Sequence, residues 1–107
     1  MKRIASVINV TPEGIEEYER LHADVWPGVL ERLRQSNVTN YSIYRWGELL
    51  VSYMEYVGDD FDGDMAAMAD DPVTKEWWAV CEPLQRPVED RAEGEWWKEI
   101  PEIFHLD

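Results

Sequence analysis

Residues 48–57, ELLVSYMEYV, carry apolar or aromatic side chains on both faces of a strand. Leu49, Val51 and Tyr53 fall on one side; Leu50, Met54 and Tyr56 fall on the other. A sheet covered by helices on one side is ordinarily polar on its free side. Here both sides need cover, and a chain of 107 residues has enough material for one modest core and a single helical layer. The free face is therefore predicted to pack on a second copy of the chain. The length fits a single domain, residues 1–107.

The flanking segments define the rest. Residues 2–10 (KRIASVINV) alternate as a strand, with Ile4 and Ile8 on one side and Ala5 and Val7 on the other. Thr11-Pro12 is a helix start. Ile15, Tyr18, Leu21/His22 and Val25 then share one helical face, and Pro27 forces a break at Trp26 before it opens a second helix, with Val29, Leu30 and Leu33, that ends near Ser36-Asn37. Residues 38–46 and 48–57 read as a hairpin turning at Gly47. Asp59 is expected to cap a helix containing Met65 and Met68, and Asp71-Pro72 to open another with Trp77, Trp78 and Cys81. Residues 87–99 read as an acidic loop interrupted by Trp96-Trp97, and 102–106 (EIFHL) as a closing strand. The order strand, helix, strand, strand, helix, strand predicts an α+β, ferredoxin-like split βαβ with an antiparallel sheet.

Charge and composition exclude several functions. Ten basic against 23 acidic residues give a net charge of −13, which opposes binding to nucleic acid or to anionic membranes. The lone Cys81 rules out an internal disulfide framework and any cysteine-based zinc site. Asp59, Asp60, Asp62 and Asp64 lack the spacing of a calcium loop, and no phosphate-binding glycine loop or nucleophile elbow is present. The expectation is a cytoplasmic protein with no metal and no cofactor.

The chemistry-bearing residues are His22, Tyr18 and the aromatics. Tyr18 and His22 are four apart on one helical face. The break at Pro27 puts His22 in the last turn of its helix, whose negative end is expected to raise its pKa toward neutrality. Trp77 and Trp78 diverge by about 100° on a helix, so one can face the core and the other a cleft. Flat aromatic faces stack on the C–H face of a pyranose, while tyrosine hydroxyls and histidine nitrogens reach its hydroxyls. The composition thus suits a neutral sugar. His105 reads as structural, and Cys81 as a small core residue.

Four segments in order resemble the L-rhamnose mutarotase family. They are Glu17-Tyr18-Glu19-Arg20-Leu21-His22 with Val25-Trp26-Pro27, then Asn40-Tyr41-Ser42-Ile43-Tyr44, then Trp77-Trp78, then Phe104-His105-Leu106. The resemblance implies a dimeric α/β barrel of ferredoxin-like subunits. It implies that His22 is the proton donor and that Tyr18, Tyr41, Trp77 and Trp78 contact a monosaccharide, with L-rhamnose the first candidate. On this reading His22 protonates the ring oxygen and retrieves the proton on closure. The segment from Pro87 to Glu99, with Trp96-Trp97, departs from the enteric bacterial members, and His105 stands where some members carry tyrosine. Two alternatives stay open at this point: a cofactor-free monooxygenase or polyketide cyclase of the same barrel fold, and a non-catalytic sugar-binding protein.

Overall fold

The computed structural model describes residues 1–107. Strand β1 (Lys2–Val10) leads through a 3-10 turn (Pro12–Gly14) into helices α1 (Ile15–Ala23) and α2 (Pro27–Gln35). Strands β2 (Val38–Trp46) and β3 (Leu49–Tyr56) follow, then helices α3 (Phe61–Asp70) and α4 (Pro72–Cys81). A second 3-10 turn (Glu82–Leu84) precedes two short strands, β4 (Gln85–Arg86) and β5 (Lys98–Ile100). The sheet is antiparallel throughout, in the order β2-β3-β1-β4, with β5 also on β1. This is the ferredoxin-like arrangement expected from the order of elements.

Each crossover helix is broken in two, and a proline makes both breaks. Trp26 takes the extended conformation (ψ 133°) ahead of Pro27, and Asp71 does so (ψ 124°) ahead of Pro72. Proline then opens the next helix, where its missing N–H is not needed. Asp71 caps α4 as expected: its carboxylate accepts from the Thr74 amide and the Thr74 hydroxyl, both at 2.9 Å. Two details differ from expectation. Asp60, not Asp59, caps α3, accepting from the Gly63 amide at 3.1 Å. The Thr11 side chain makes no cap bond, and the Thr11 carbonyl instead accepts from the Gly14 amide at 2.9 Å. The β2–β3 hairpin turns on Gly47, whose φ of +59° suits a residue without a Cβ.

The expected closing strand over 102–106 does not form. Proline at 101 has no amide proton to give a ladder, and pairing stops at Ile100. β4 lies along Asn9–Val10 and β5 along Ala5–Val7, so two short strands complete one edge of β1 in tandem. The intervening loop, 87–97, returns the chain over the helical side of the sheet.

The core lies between that side and the helices. Ile8, Val10 and Leu50 from the strands meet Tyr18, Leu21, Val29, Trp77 and Cys81. The opposite face carries the directly paired Ala5–Tyr53, the row Val7–Val51–Tyr44, and Leu49–Trp46, with Trp46 81% exposed. No helix is long and apolar enough to cross a membrane.

Candidate active site

The sheet makes room for a cavity where two small side chains meet. Ser6 and Ser52 are register partners on the helix-facing side of β1 and β3, between rows that carry Ile4 with Met54 and Ile8 with Leu50. A hydroxymethyl in place of a large apolar group leaves space under α1 and α4. The result is a hollow of about 390 Å³, at the small end of the range for ligand pockets. Its lining is mostly apolar, with Ile4, Met54, Met65 and Met68 among it.

His22 and Tyr18 enter this hollow from the last two turns of α1. Their rings stack at 4.1 Å between centroids and 21° between planes, as the i, i+4 spacing predicts. The Tyr18 carbonyl lies 2.8 Å from His22 Nδ1. A carbonyl only accepts, so Nδ1 carries a proton and donates it, and Nε2 is the nitrogen left for a ligand. The expected upward pKa shift does not occur: burial holds the imidazole below its usual value of 6.5, and the bond to the Tyr18 carbonyl only partly offsets this. The Trp77 ring, edge-on at 5.1 Å, is part of the packing that buries the imidazole.

Trp77 is 6% exposed and belongs to the core, whereas Trp78 is 39% exposed; both line the hollow. Trp26, the break residue, braces Trp77 edge-on at 5.1 Å. Tyr41 comes from a bulge between Thr39 and Ser42, where Asn40 takes a φ of 46°. Part of the Tyr41 ring is open to solvent, but its hydroxyl end lies in the cavity and burial pushes it up to about 12. Burial also raises Tyr18 well above 10, so both phenols are neutral hydrogen-bonding groups. Cys81 is buried behind them with its thiol pushed up to about 11, which leaves it protonated and inert.

The five residues singled out in the sequence, Tyr18, His22, Tyr41, Trp77 and Trp78, thus line one hollow. His105 does not join them: it sits at the exposed end of the chain, 2.8 Å from an Asp107 carboxylate oxygen. Three further lining residues, Ser6, Ser52 and Gln85, belong to no sequence motif. Ser6 and Ser52 are visible only as small polar residues at inward strand positions. Gln85 on β4 donates from Nε2 to the Tyr18 hydroxyl at 3.1 Å and accepts at Oε1 from Trp96 Nε1 at 2.7 Å. Trp96 and Trp97, noted earlier only as a departure in the loop, close the wall beside Gln85.

The arrangement is a neutral imidazole with one free nitrogen, two neutral phenols and aromatic walls. That set can move a proton within a bound, uncharged, partly apolar ligand, and no group of three or more His, Cys, Asp or Glu side chains is placed to hold a metal ion. The comparisons with known proteins agree in direction. Two solved structures share the fold over the whole chain. An L-rhamnose mutarotase from Formosa agariphila has a TM-score of 0.77 at 19% identity, covering 100% of both chains. The tetracenomycin F2 cyclase of Streptomyces glaucescens has 0.73 at 16%, covering 100% of this chain and 98% of its own. Among curated relatives, an L-rhamnose mutarotase of Ligilactobacillus salivarius is 34% identical, across 98% of this chain and 97% of its own length. An L-fucose mutarotase of Xanthomonas campestris is 35% identical, across 99% and 89%. The sequence pattern that defines the L-rhamnose mutarotase family matches residues 3–106, and with these relatives it establishes that the chain belongs to that family.

Proposed function

We propose that this mutarotase interconverts the α and β anomers of a 6-deoxyhexose, with L-rhamnose the first candidate, and that His22 carries the proton. The observation that supports this most is the His22 imidazole: one nitrogen is tied to the Tyr18 carbonyl and the other is left for a ligand in a hollow walled by aromatic rings. The relatives act, by their names, on L-rhamnose and on L-fucose. Both sugars carry a methyl group in place of a hydroxymethyl, which suits the apolar lining around Met54, Met65 and Met68.

Mutarotation breaks the bond between C1 and the ring oxygen, rotates C1 and closes the ring on the other face. A neutral His22 begins as the base. Nε2 takes the proton from the anomeric hydroxyl as the C1–O1 double bond forms and the ring oxygen departs. The imidazolium then delivers that proton to the ring oxygen. O1 and the ring oxygen share C1, so one imidazole reaches both in turn. After rotation the steps reverse, and His22 ends neutral as it began. Tyr18 and Tyr41 hold sugar hydroxyls, and Trp77 and Trp78 meet the apolar face of the ring. We place the reaction in the cytoplasm, where the one thiol stays reduced, and in a homodimer joined through the helix-free face of the sheet.

Saturation-transfer NMR on L-rhamnose, L-fucose and a hexose that keeps its hydroxymethyl tests the reading. Catalytic protein should transfer saturation between the two anomeric signals of a deoxy sugar, faster than buffer alone. Binding without faster exchange would instead mark a sugar-binding protein.

A further inference from the structure

We infer that Gln85 is a positioning residue, locked by Trp96 into the orientation in which the Tyr18 hydroxyl accepts from the amide and keeps its own proton for the sugar. The inference rests on the mutarotase reading and adds to it a direction for one hydrogen bond. A glutamine amide has a donating end and an accepting end, and the two are alike in shape. Its partners decide which end faces which way. Here one partner leaves no choice. The Trp96 indole N–H can only donate, and it lies 2.7 Å from Gln85 Oε1. The accepting end is thereby fixed toward Trp96, and the donating end faces the Tyr18 hydroxyl at 3.1 Å.

A phenol hydroxyl carries one proton and accepts through its lone pairs. Gln85 occupies a lone pair. It is the only protein group bonded to the Tyr18 hydroxyl, so the phenolic proton has no acceptor within the protein. Tyr18 is 3% exposed and lines the cavity, which leaves a ligand oxygen as the natural acceptor for that proton. Burial keeps the phenol protonated, so it serves as a donor and not as a second base. A donor beside His22 is suited to the ring oxygen as it gains negative charge during opening.

The loop that supplies Trp96 is itself organised. The Glu95 carboxylate accepts from the Ala92 amide at 2.8 Å and from the Glu99 amide at 3.3 Å, and the Arg91 guanidinium lies 5.8 Å from the Trp96 ring centre. Trp97, the neighbour in sequence, packs against the core. The loop thus reaches the Tyr18 hydroxyl through one amide.

Two replacements at residue 85 separate this role from simple scaffolding. Gln85→Glu keeps an acceptor for Trp96 but turns the Tyr18-facing end into a second acceptor, which captures the phenolic proton. Gln85→Met removes both bonds and leaves that proton free. We expect Gln85→Met to lower kcat/KM by about twofold, because the phenol loses the bond that orients it, and Gln85→Glu to lose more, up to roughly tenfold, as Tyr18→Phe does, the range of one hydrogen bond. In a Tyr18→Phe background there is no proton to capture, and Gln85→Glu should cause no further loss. The reverse order, Met worse than Glu, or additive losses in the double variant, overturns the inference. Thermal melting of each variant separates these effects from unfolding. The indole N–H resonance of Trp96 reports the clasp without any substrate: Gln85→Met should shift it upfield and Gln85→Glu should not. An unmoved resonance overturns the clasp, whereas a wild-type protein that exchanges no anomers overturns the function and not the clasp.

Discussion

His22 shows how far residue types and spacing reach, and where they stop. Its stacking on Tyr18 follows from the i, i+4 spacing, and its place in the last helical turn follows from Pro27. The direction of its pKa does not, because that depends on burial by elements that meet only in the fold, Trp77 of α4 among them. In the proposed reaction the neutral imidazole starts the chemistry, so kcat/KM should fall as pH drops through a value below 6.5 and level off toward neutrality. An acid limb centred above 6.5 would mean that burial does not govern this histidine. His22→Asn should remove about 10²-fold or more of the exchange while the fold persists. Near-wild-type exchange in a folded variant would end its assignment. Tyr18→Phe should cost about 0.5–1.5 kcal/mol in kcat/KM, read by the same NMR measurement, and an unchanged value would leave Tyr18 as packing alone. Ser6, Ser52 and Gln85 escaped notice for one reason: their roles come from strand pairing, which brings residue 6 to residue 52 and residue 85 to residue 18.

At the scale of elements, local chemistry carried most of the fold. Both helix breaks were legible because proline restricts the residue before it, and the hairpin because Gly47 tolerates a positive φ. The C-terminal edge was not legible. Lys98-Glu99-Ile100 has too few residues to show a period, and its pairing with β1 depends on a loop that folds back from residue 87. Residues 102–106 alternate more convincingly, yet Pro101 ends the ladder before them. The α4 cap offers a test of the element that carries Trp77 and Trp78. Donation from the Thr74 amide and hydroxyl depresses the Asp71 pKa below 3.8. A depressed folded pKa stabilises above the unfolded value and loses that contribution as pH falls through the folded one. Asp71→Ala should therefore lower Tm at pH 7, and the gap from wild type should shrink as the pH is taken below 3.8. A gap that stays constant across that window would show that the charge on the cap contributes nothing.

For the whole molecule, assembly turns on what covers the second face of the sheet. Val7, Val51 and Tyr44 form one row across it, with Ala5–Tyr53 and Leu49–Trp46 on either side. Tyr44 and Trp46 are exposed, and so are Ile103, Phe104 and Leu106 in the segment that follows the last strand. The Arg3 guanidinium holds the start of that segment at the sheet edge by pairing with Glu102 at 2.8 Å. Burying such a face against a second copy removes apolar area from water at about 25 cal/mol per Å², and a stable interface needs about 800 Å² from each partner. The net charge of −13 opposes the encounter. Its repulsion is long-ranged and screened over about 8 Å at physiological salt, while the apolar contact is not weakened by salt. Raising ionic strength should therefore tighten the dimer. Sedimentation equilibrium at micromolar concentration should give twice the chain mass, with dissociation growing as salt is removed. Val51→Lys places a charge at the centre of the face, and it should yield a monomer whose sheet is intact by circular dichroism. A wild-type monomer at moderate salt would rule out the dimer, and with it the view that the second apolar face is covered by another copy of the chain.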